Sequence, residues 1–455
     1  MKKIIAMLLA VVMVLGLCAC TIEQEPAGNN NGGNNAGNNN GGNNNGGNNG
    51  DTVEITLWTY PIGGWGTQET VNGLIAKFEA ANPGIKVKVE YLDYTNGDST
   101  VANAIQSKNT PDLIMEGPER LVANYGAAGL MVDLSDLLDD TDKAEINAAA
   151  LKACWGTDGK LYEYPLVMTA HCMAINKTIF EAAGAMGHLN TETHLWNSTA
   201  DFFAAMEKVS AYMGAPAGAI FCKSQGGDQG TRALVTNLNG GTFTNEAHTE
   251  YTWNSAENIA ALTRLAAANG SFTFDSSLAG GDEIREFYMG NLGVAFCWNI
   301  AQQLDPNGAK TGAEKTVTGD EIEFMAFPSD STPLLQGGIW GFGVFNNGND
   351  AKIAAAKKFI KYMCDSAATA EAVKAANYFA VRSKAEGTDL SNVWADNAIM
   401  AEYNKLMPML GDYYQVTTNW AAARTAWWNM LQEVGTGADV AATVAKWAAQ
   451  ANNPT

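Results

Sequence analysis

Aromatic rings and hydrogen-bonding side chains fall together at several points of this 455-residue chain, which carries 12 Trp and 14 Tyr. Trp58, Tyr60 and Trp65 stand at or just beyond the end of one alternating apolar run, and Glu116 closes another. Gln225 and Asp228 lie in the Gly-rich stretch 224–230, where backbone without side chains can approach a ligand closely. Asn299 directly follows Trp298. Flat rings offer apolar faces for stacking, and amides and carboxylates offer paired hydrogen bonds around the rim of whatever is stacked. That chemistry suits the capture of a ligand.

Signals for other chemistry are weak. His188 and His194 lack the H-E-x-x-H spacing that sets two imidazoles on one helical face, and no Cys lies close, so no metal site is expected. The acidic stretch 133–145 lacks the central Gly and ligand spacing of a calcium loop and reads as a solvated helical face. Neither a Gly-x-Ser-x-Gly elbow nor a Walker phosphate loop is present. No cofactor is called for. Trp427 and Trp428 sit in an Ala-rich helix and read as packing; Trp155, Trp253 and Trp447 read as structural.

The elements that would position the aromatic and polar groups are legible from periodicity. Val53, Ile55 and Leu57 alternate as in a strand; Val71, Leu74, Ile75 and Phe78 follow the i, i+3, i+4, i+7 stripe of a helix that Asn82-Pro83-Gly84 ends. Ile85 to Tyr91 alternates again, a helix spans about 99–108, and 112–115 is a third strand. This βαβαβ opening predicts parallel strands with ligand beyond their carboxyl ends. Later helices start after Ser198 and at Asp350, and residues 419–450 read as helices.

At the amino end, Lys2 and Lys3 precede the apolar run Ile4 to Leu17, the pattern of a secretion signal over residues 1–19. Ala19-Cys20 then resembles a lipobox, which makes Cys20 the expected lipidation site. Residues 27–50 are almost all Asn and Gly and form a tether with a reach of roughly 30 Å. The protein is therefore expected outside the cytoplasm, anchored to the outer face of the cell membrane. The 28 basic and 48 acidic residues give a formal charge of −20, which disfavours a nucleic-acid partner. Beyond Cys20, Cys154, Cys172, Cys222, Cys297 and Cys364 are odd in number and unclustered, and read as buried thiols rather than a disulfide framework.

Ordered landmarks across residues 51–455 resemble the extracellular solute-binding proteins of ATP-binding-cassette importers, in particular the sugar-binding group that includes maltose-binding protein. They include Ile55-Thr56-Leu57-Trp58, Asn82-Pro83-Gly84-Ile85, Thr110-Pro111-Asp112-Leu113, Asp158-Gly159-Lys160-Leu161-Tyr162, Gly293-Val294-Ala295-Phe296-Cys297-Trp298 and Gly337-Gly338 with Trp340. Tyr378-Phe379-Ala380-Val381-Arg382 resembles a late Pro-Val-Arg segment of the family, with Ala380 in place of Pro.

The resemblance implies an α/β, two-lobed periplasmic-binding-protein-like fold with hinged lobes and an interlobe cleft. It places crossings near 169–171, near Pro328 and near 378–380, with 51–170 and 328–378 in one lobe and 171–327 and 379–455 in the other. It further implies a monomeric, non-enzymatic receptor that holds a mono- or oligosaccharide and delivers it to an importer permease. Trp298 and Trp340 become the favoured stacking platforms, followed by Trp58 and Trp65. His171, Tyr378 and Arg382 join the set through their place at crossings, with an ion-pair role open for Arg382. Competing readings are a receptor of the same fold for glycerol phosphate or a polyamine, and a surface adhesin or glycoside hydrolase; the last needs only two carboxylates about 5 Å or 6.5–9.5 Å apart.

Overall fold

The computed structural model describes residues 52–304 and 315–454 apart from Thr95 and Asn269. The expected secretion signal, the Cys20 lipidation site and the Asn/Gly tether lie outside the described residues. Strand β1 (Val53–Thr59) leads into α1 (Gln68–Ala81), which buries the predicted stripe Val71, Leu74, Ile75 and Phe78. Asn82 ends the helix, its N–H donating to the Phe78 and Glu79 carbonyls. β2 (Ile85–Tyr91), α2 (Gly97–Gln106) and β3 (Leu113–Glu116) complete the opening. β1 runs parallel to both β2 and β3, pairing Val53 with Ile85 and Leu57 with Leu113. The parallel crossovers put the ends of β1 and β3 side by side.

β4 (Tyr164–Asn176) is the long strand of the molecule, 13 residues buried throughout except at half-exposed His171. After it come α3 (Thr199–Met213), β5 (Gly218–Phe221), α4 (Gln229–Asn239), α5 (Ala256–Ala267) and β6 (Phe272–Asp275), with β5 and β6 parallel. Ser198 caps α3 by accepting from the Asp201 N–H, as its sequence signature predicts. The remaining elements are α6 (Gly280–Tyr288), β7 (Val294–Trp298), β8 (Ile322–Met325), β9 (Gln336–Val344), α7 (Asp350–Cys364), α8 (Thr369–Ala376), β10 (Phe379–Ala380), α9 (Trp420–Gly435) and α10 (Val440–Asn452).

Eight strands form one mixed sheet along the path β8-β4-β9-β3-β1-β2, with β7 and β10 also on β4. β4 changes neighbours along its length. From Tyr164 to His171 it pairs with β9 and, at Val167 and Met168, with β10; from Cys172 to Asn176 it pairs with β7 and β8. At the changeover β9 presses close: a Cβ on Gly337 would overlap the Thr169 carbonyl oxygen. Only glycine permits that approach.

Each half of the sheet has its own aromatic packing. Phe78 meets Phe359 of α7 edge-on with ring centroids 5.1 Å apart, while Phe243, Trp253 and Trp427 pack together beyond β4. All five described cysteines are buried and none forms a disulfide. Among the described residues no helix is long and apolar enough to cross a membrane, and no group of three or more His, Cys, Asp and Glu is placed to hold a metal ion. His188 bonds Asp201 and His194 the Phe324 carbonyl.

One sequence expectation needs correction here. Residues 133–145 are not simply a solvated face, because Asp142 is 4% exposed and is bound by Arg382. A buried guanidinium needs a counter-charge, and this stretch supplies it.

Candidate functional site

The turn after β3 gathers the first cluster. Gly117 lets it pack against β9, since a Cβ there would stand 2.9 Å from the Ile339 carbonyl oxygen. Pro118 then starts a short helical turn, which brings Glu119 and Arg120 back over Glu116 one turn along. Arg120 Nη1 lies 2.6 Å from Glu116 Oε1, and its Nε lies 2.7 Å from Asp98. The guanidinium also covers the rings of Tyr60 and Tyr94 at 5.1 and 5.8 Å, and these rings stack on each other at 5.2 Å. Burial, and next the neighbouring Glu119 carboxylate, push Glu116 up to about 8 against the pull of Arg120.

Trp340 stacks on Tyr378 at 4.7 Å with the planes 16° apart, both half-buried. The indole lies against bare backbone, because a Cβ on Gly338 would run into its ring. Tyr94 is near enough to Tyr378, Glu116, Glu119 and Arg120 for their charges to act on its hydroxyl, which burial above all holds above its usual range. Tyr60, Glu116, Trp340 and Tyr378 thus belong to one neighbourhood, reached from four separate segments.

A second cluster forms where α4 begins. Asp228 accepts from Arg424 Nε and Nη2 at 3.1 and 2.9 Å and pairs with Arg232 one turn along the helix. Arg232 is 1% exposed; its Nε donates to Tyr414 Oη at 2.9 Å, and its guanidinium lies over the rings of Trp420, Phe243 and Tyr414. Arg424 covers Trp420 from its own position at 5.7 Å and donates to the Gln225 carbonyl at 2.6 Å. Trp420 is half-buried as the first residue of α9, set by Asn419 in the left-handed region at φ +61°. His171 bridges Gln229 at 3.3 Å and Asn299 at 3.4 Å. His171, Gln225, Asp228 and Asn299 are therefore brought together here.

Two consecutive tyrosines join the clusters. Tyr413 Oη donates to Glu119 at 2.7 Å, while Tyr414 takes the bond from Arg232. Beneath them Glu163 is fully buried with both carboxylate oxygens unbonded, and burial, followed by the charges of Glu119 and Glu116, holds it well above the carboxylate range.

Four expected site residues lie elsewhere. Trp298 is a core residue, its Nε1–H donating to Gln303 Oε1 at 2.9 Å while its ring packs edge-on against Phe287 and Tyr288. Trp65 is likewise buried, bonded to the Ala372 carbonyl and set edge-on to Phe342. Trp58 is 8% exposed within β1 and packs in the core. Arg382 serves an ion network with Asp142, Glu145 and Asp365, the open alternative from its sequence. In their stead stand Tyr94, Glu119, Arg120, Arg232, Trp420 and Arg424. A local signal existed for two of them, since Glu116 and Arg120, and Asp228 and Arg232, are each four residues apart.

His171 supplies a pH test. The packed surroundings of its ring, and secondarily the charge of Arg232, pull it down to about 4, whereas an unfolded chain protonates it near 6.5. Stability from this group is complete above about pH 6.5 and is lost as pH falls toward the folded value. Between pH 7 and 5 the wild type should lose roughly 1–2 kcal/mol more unfolding free energy than His171→Gln, as read from urea curves. Equal losses would mean that the ring takes up its proton as readily in the folded as in the unfolded chain.

The mixed sheet, with one strand serving two sets of neighbours and polar aromatic clusters at their junction, defines a two-lobed binding protein. A family model for bacterial extracellular solute-binding proteins matches residues 73–402, and the chain belongs to that family. It is similar in structure to the cyclic α-maltosyl-1,6-maltose binding protein of Arthrobacter globiformis, with a TM-score of 0.71 at 19% identity over 88% of this chain and 98% of that one. The sugar-binding protein MalE of Xanthomonas citri gives a TM-score of 0.67 at 14% identity over 88% and 96% of the two chains. An importer substrate-binding protein of Listeria monocytogenes in complex with cycloalternan gives 0.60 at 20% identity over 88% and 98%. No curated protein matches the sequence.

Proposed function

We propose that this protein captures a mono- or oligosaccharide between its lobes and delivers it to the permease of an ATP-binding-cassette importer. The observation that carries this reading is the pairing of half-buried aromatic rings with charged hydrogen-bonding groups: Trp340 and Tyr378 near Glu116 and Arg120, and Trp420 beside Arg232 and Arg424. A sugar ring has one C–H face to stack and a rim of hydroxyls to bond, and Asp–Arg and Glu–Arg pairs offer donors and acceptors together. The structural neighbours that bind cyclic glucans and other sugars point the same way.

Residues 51–170 with 328–378 form one lobe and 171–327 with 379–455 the other. Contacts to ligand from both sides favour the closed arrangement, a population shift that the permease reads. The protein acts as a monomer held by lipid on Cys20, with the Asn/Gly tether giving it reach.

Calorimetric titration with maltose, maltotriose, cyclic glucans and galactose tests the reading; no heat of binding across such a panel would sink it. For whichever sugar binds, Trp340→Ala should weaken affinity by about 10- to 100-fold, the loss of one aromatic platform. Its melting temperature should move little, because the ring is only half-buried. An unchanged dissociation constant would remove Trp340 from the site.

A further inference from the structure

Asp412 stands where three segments meet. Its Oδ1 lies 3.0 Å from Lys152 Nζ, on the short helix Ala148–Ala153, and its Oδ2 lies 2.7 Å from His248 Nε2, on the loop after α4. Lys152 belongs to the first lobe as bounded above, Asp412 and His248 to the second. One carboxylate therefore holds a cation of the opposite lobe with one oxygen and an imidazole of its own lobe with the other.

The partners are fixed in place. The Leu335 N–H donates to the Met409 carbonyl and the Gly411 N–H to the Leu335 carbonyl, both at 2.8 Å, which seats the segment carrying Asp412 against the entry to β9. His248 takes the left-handed region at φ +55°, uncommon for a residue with a side chain. Its turn is held by Asn245, whose carbonyl accepts from the His248 N–H and whose side chain accepts from the Thr249 N–H. Burial opposes ionisation of Asp412, but the bonds from His248 and then Lys152 outweigh it and hold the carboxyl below its ordinary range.

The two partners of the carboxylate compete. A neutral imidazole donates one N–H to Oδ2 and leaves the full negative charge to attract Lys152. A protonated imidazole cancels that charge and sets a second cation beside the lysine, so the bond between lobes weakens. Imidazoles change charge between about pH 8 and 5. The charged groups around His248 are Asp412 and Lys152 from the facing segments, with Glu246 and Glu250 exposed on its own loop. Carboxylates and ammoniums ordinarily keep their charge over that range.

We propose that Lys152, Asp412 and His248 form a pH-sensitive clasp between the lobes, which holds them together near neutral pH and loosens in acid. The inference rests on the sugar-capturing reading above and regulates the same cleft. A looser clasp lowers the fraction of the joined form and weakens sugar affinity by the same factor. The Lys152 and Asp412 side chains are 42% and 37% exposed, so solvent limits the effect to about threefold.

The test is calorimetric sugar affinity of the full chain at about pH 8 and 5.5. Between these values the wild type should lose about threefold more affinity than His248→Gln or Lys152→Met. The two variants should differ in level. His248→Gln keeps an N–H for Asp412 but takes no proton, so it should match the wild type at the higher pH and bind more tightly at the lower. Lys152→Met should bind more weakly at the higher pH and match the wild type at the lower. A general loss of packing would not produce that opposition, and the responses of His171 and Glu116 are common to all three proteins.

Spin labels at Thr100→Cys and Thr263→Cys, one exposed position in each lobe, read the same clasp without sugar. Their mean separation should lengthen in acid more for the wild type than for either variant. If no sugar binds, the sugar reading fails while the label distances still decide the clasp. A His248→Gln protein that keeps the wild-type pH response, or a wild type that responds in neither readout, would overturn the proposal.

Discussion

Asp228→Ala is expected to abolish sugar binding and to lower the unfolding free energy by about 3–5 kcal/mol, the cost of stranding a buried charge. Asp228 is 2% exposed and is the shared counter-ion of Arg232 and Arg424. Without it, two guanidiniums beside the Trp420 ring lose their shared counter-ion. Arg232 has no route to water, because Tyr414 holds its Nε and three rings cover it.

The double variant Asp228→Ala with Arg232→Met should recover most of the stability, since replacing both ions by apolar groups removes the uncompensated charge. It should not recover binding. Urea unfolding and calorimetry on the same samples separate the two effects. A single variant as stable as the wild type would mean that water reaches Arg232.

Arg382→Met is expected to cost a similar 3–5 kcal/mol while leaving sugar affinity unchanged. Arg382 is 4% exposed, and its two terminal nitrogens reach Asp142 at 2.7 Å, Glu145 at 3.0 Å and Asp365 at 2.7 Å. Removing the cation leaves three carboxylates drawn together around an apolar side chain. Its neighbours belong to the network around α7 rather than to either aromatic cluster. A clear fall in affinity with stability preserved would return Arg382 to the binding site.

The contrast between these two arginines marks what the sequence could reveal. The opening βαβαβ unit was legible because each segment has one periodicity: alternation in Val53–Leu57 and a 3.6-residue stripe in Val71–Phe78. Glu116 and Tyr60 stood out as candidates because parallel strands place ligands at their carboxyl ends, and both lie around Arg120 in the first cluster. Trp298 occupies the same kind of position at the end of β7, yet the following turn brings Gln303 back to bind its indole N–H. That return spans only five residues, yet nothing in the residue types shows where the Gln303 amide turns.

Trp420 was hidden in the opposite way. It sits in an Ala-rich helix, where a tryptophan reads as packing, and only its position as first residue of α9 sets it beside Arg232. The Asp228–Arg424 pair joins positions nearly 200 apart, and nothing near either residue announces the other. The local acid-to-arginine spacings at 116 and 228 were the more accessible clue.

β4 has a consequence of another kind. Its 13 residues carry neighbours from both halves of the sheet, with a register shift opposite Trp340 and Gly341 and another between Cys172 and Ala174. Side chains in a strand alternate faces, so one residue inserted after Thr169 would invert every residue from Ala170 to Asn176 relative to those before it. Inside would become outside for one lobe alone, and His171 would leave the face it shares with Gln229 and Asn299. Between its two register shifts the segment therefore behaves as a reading frame written in three dimensions.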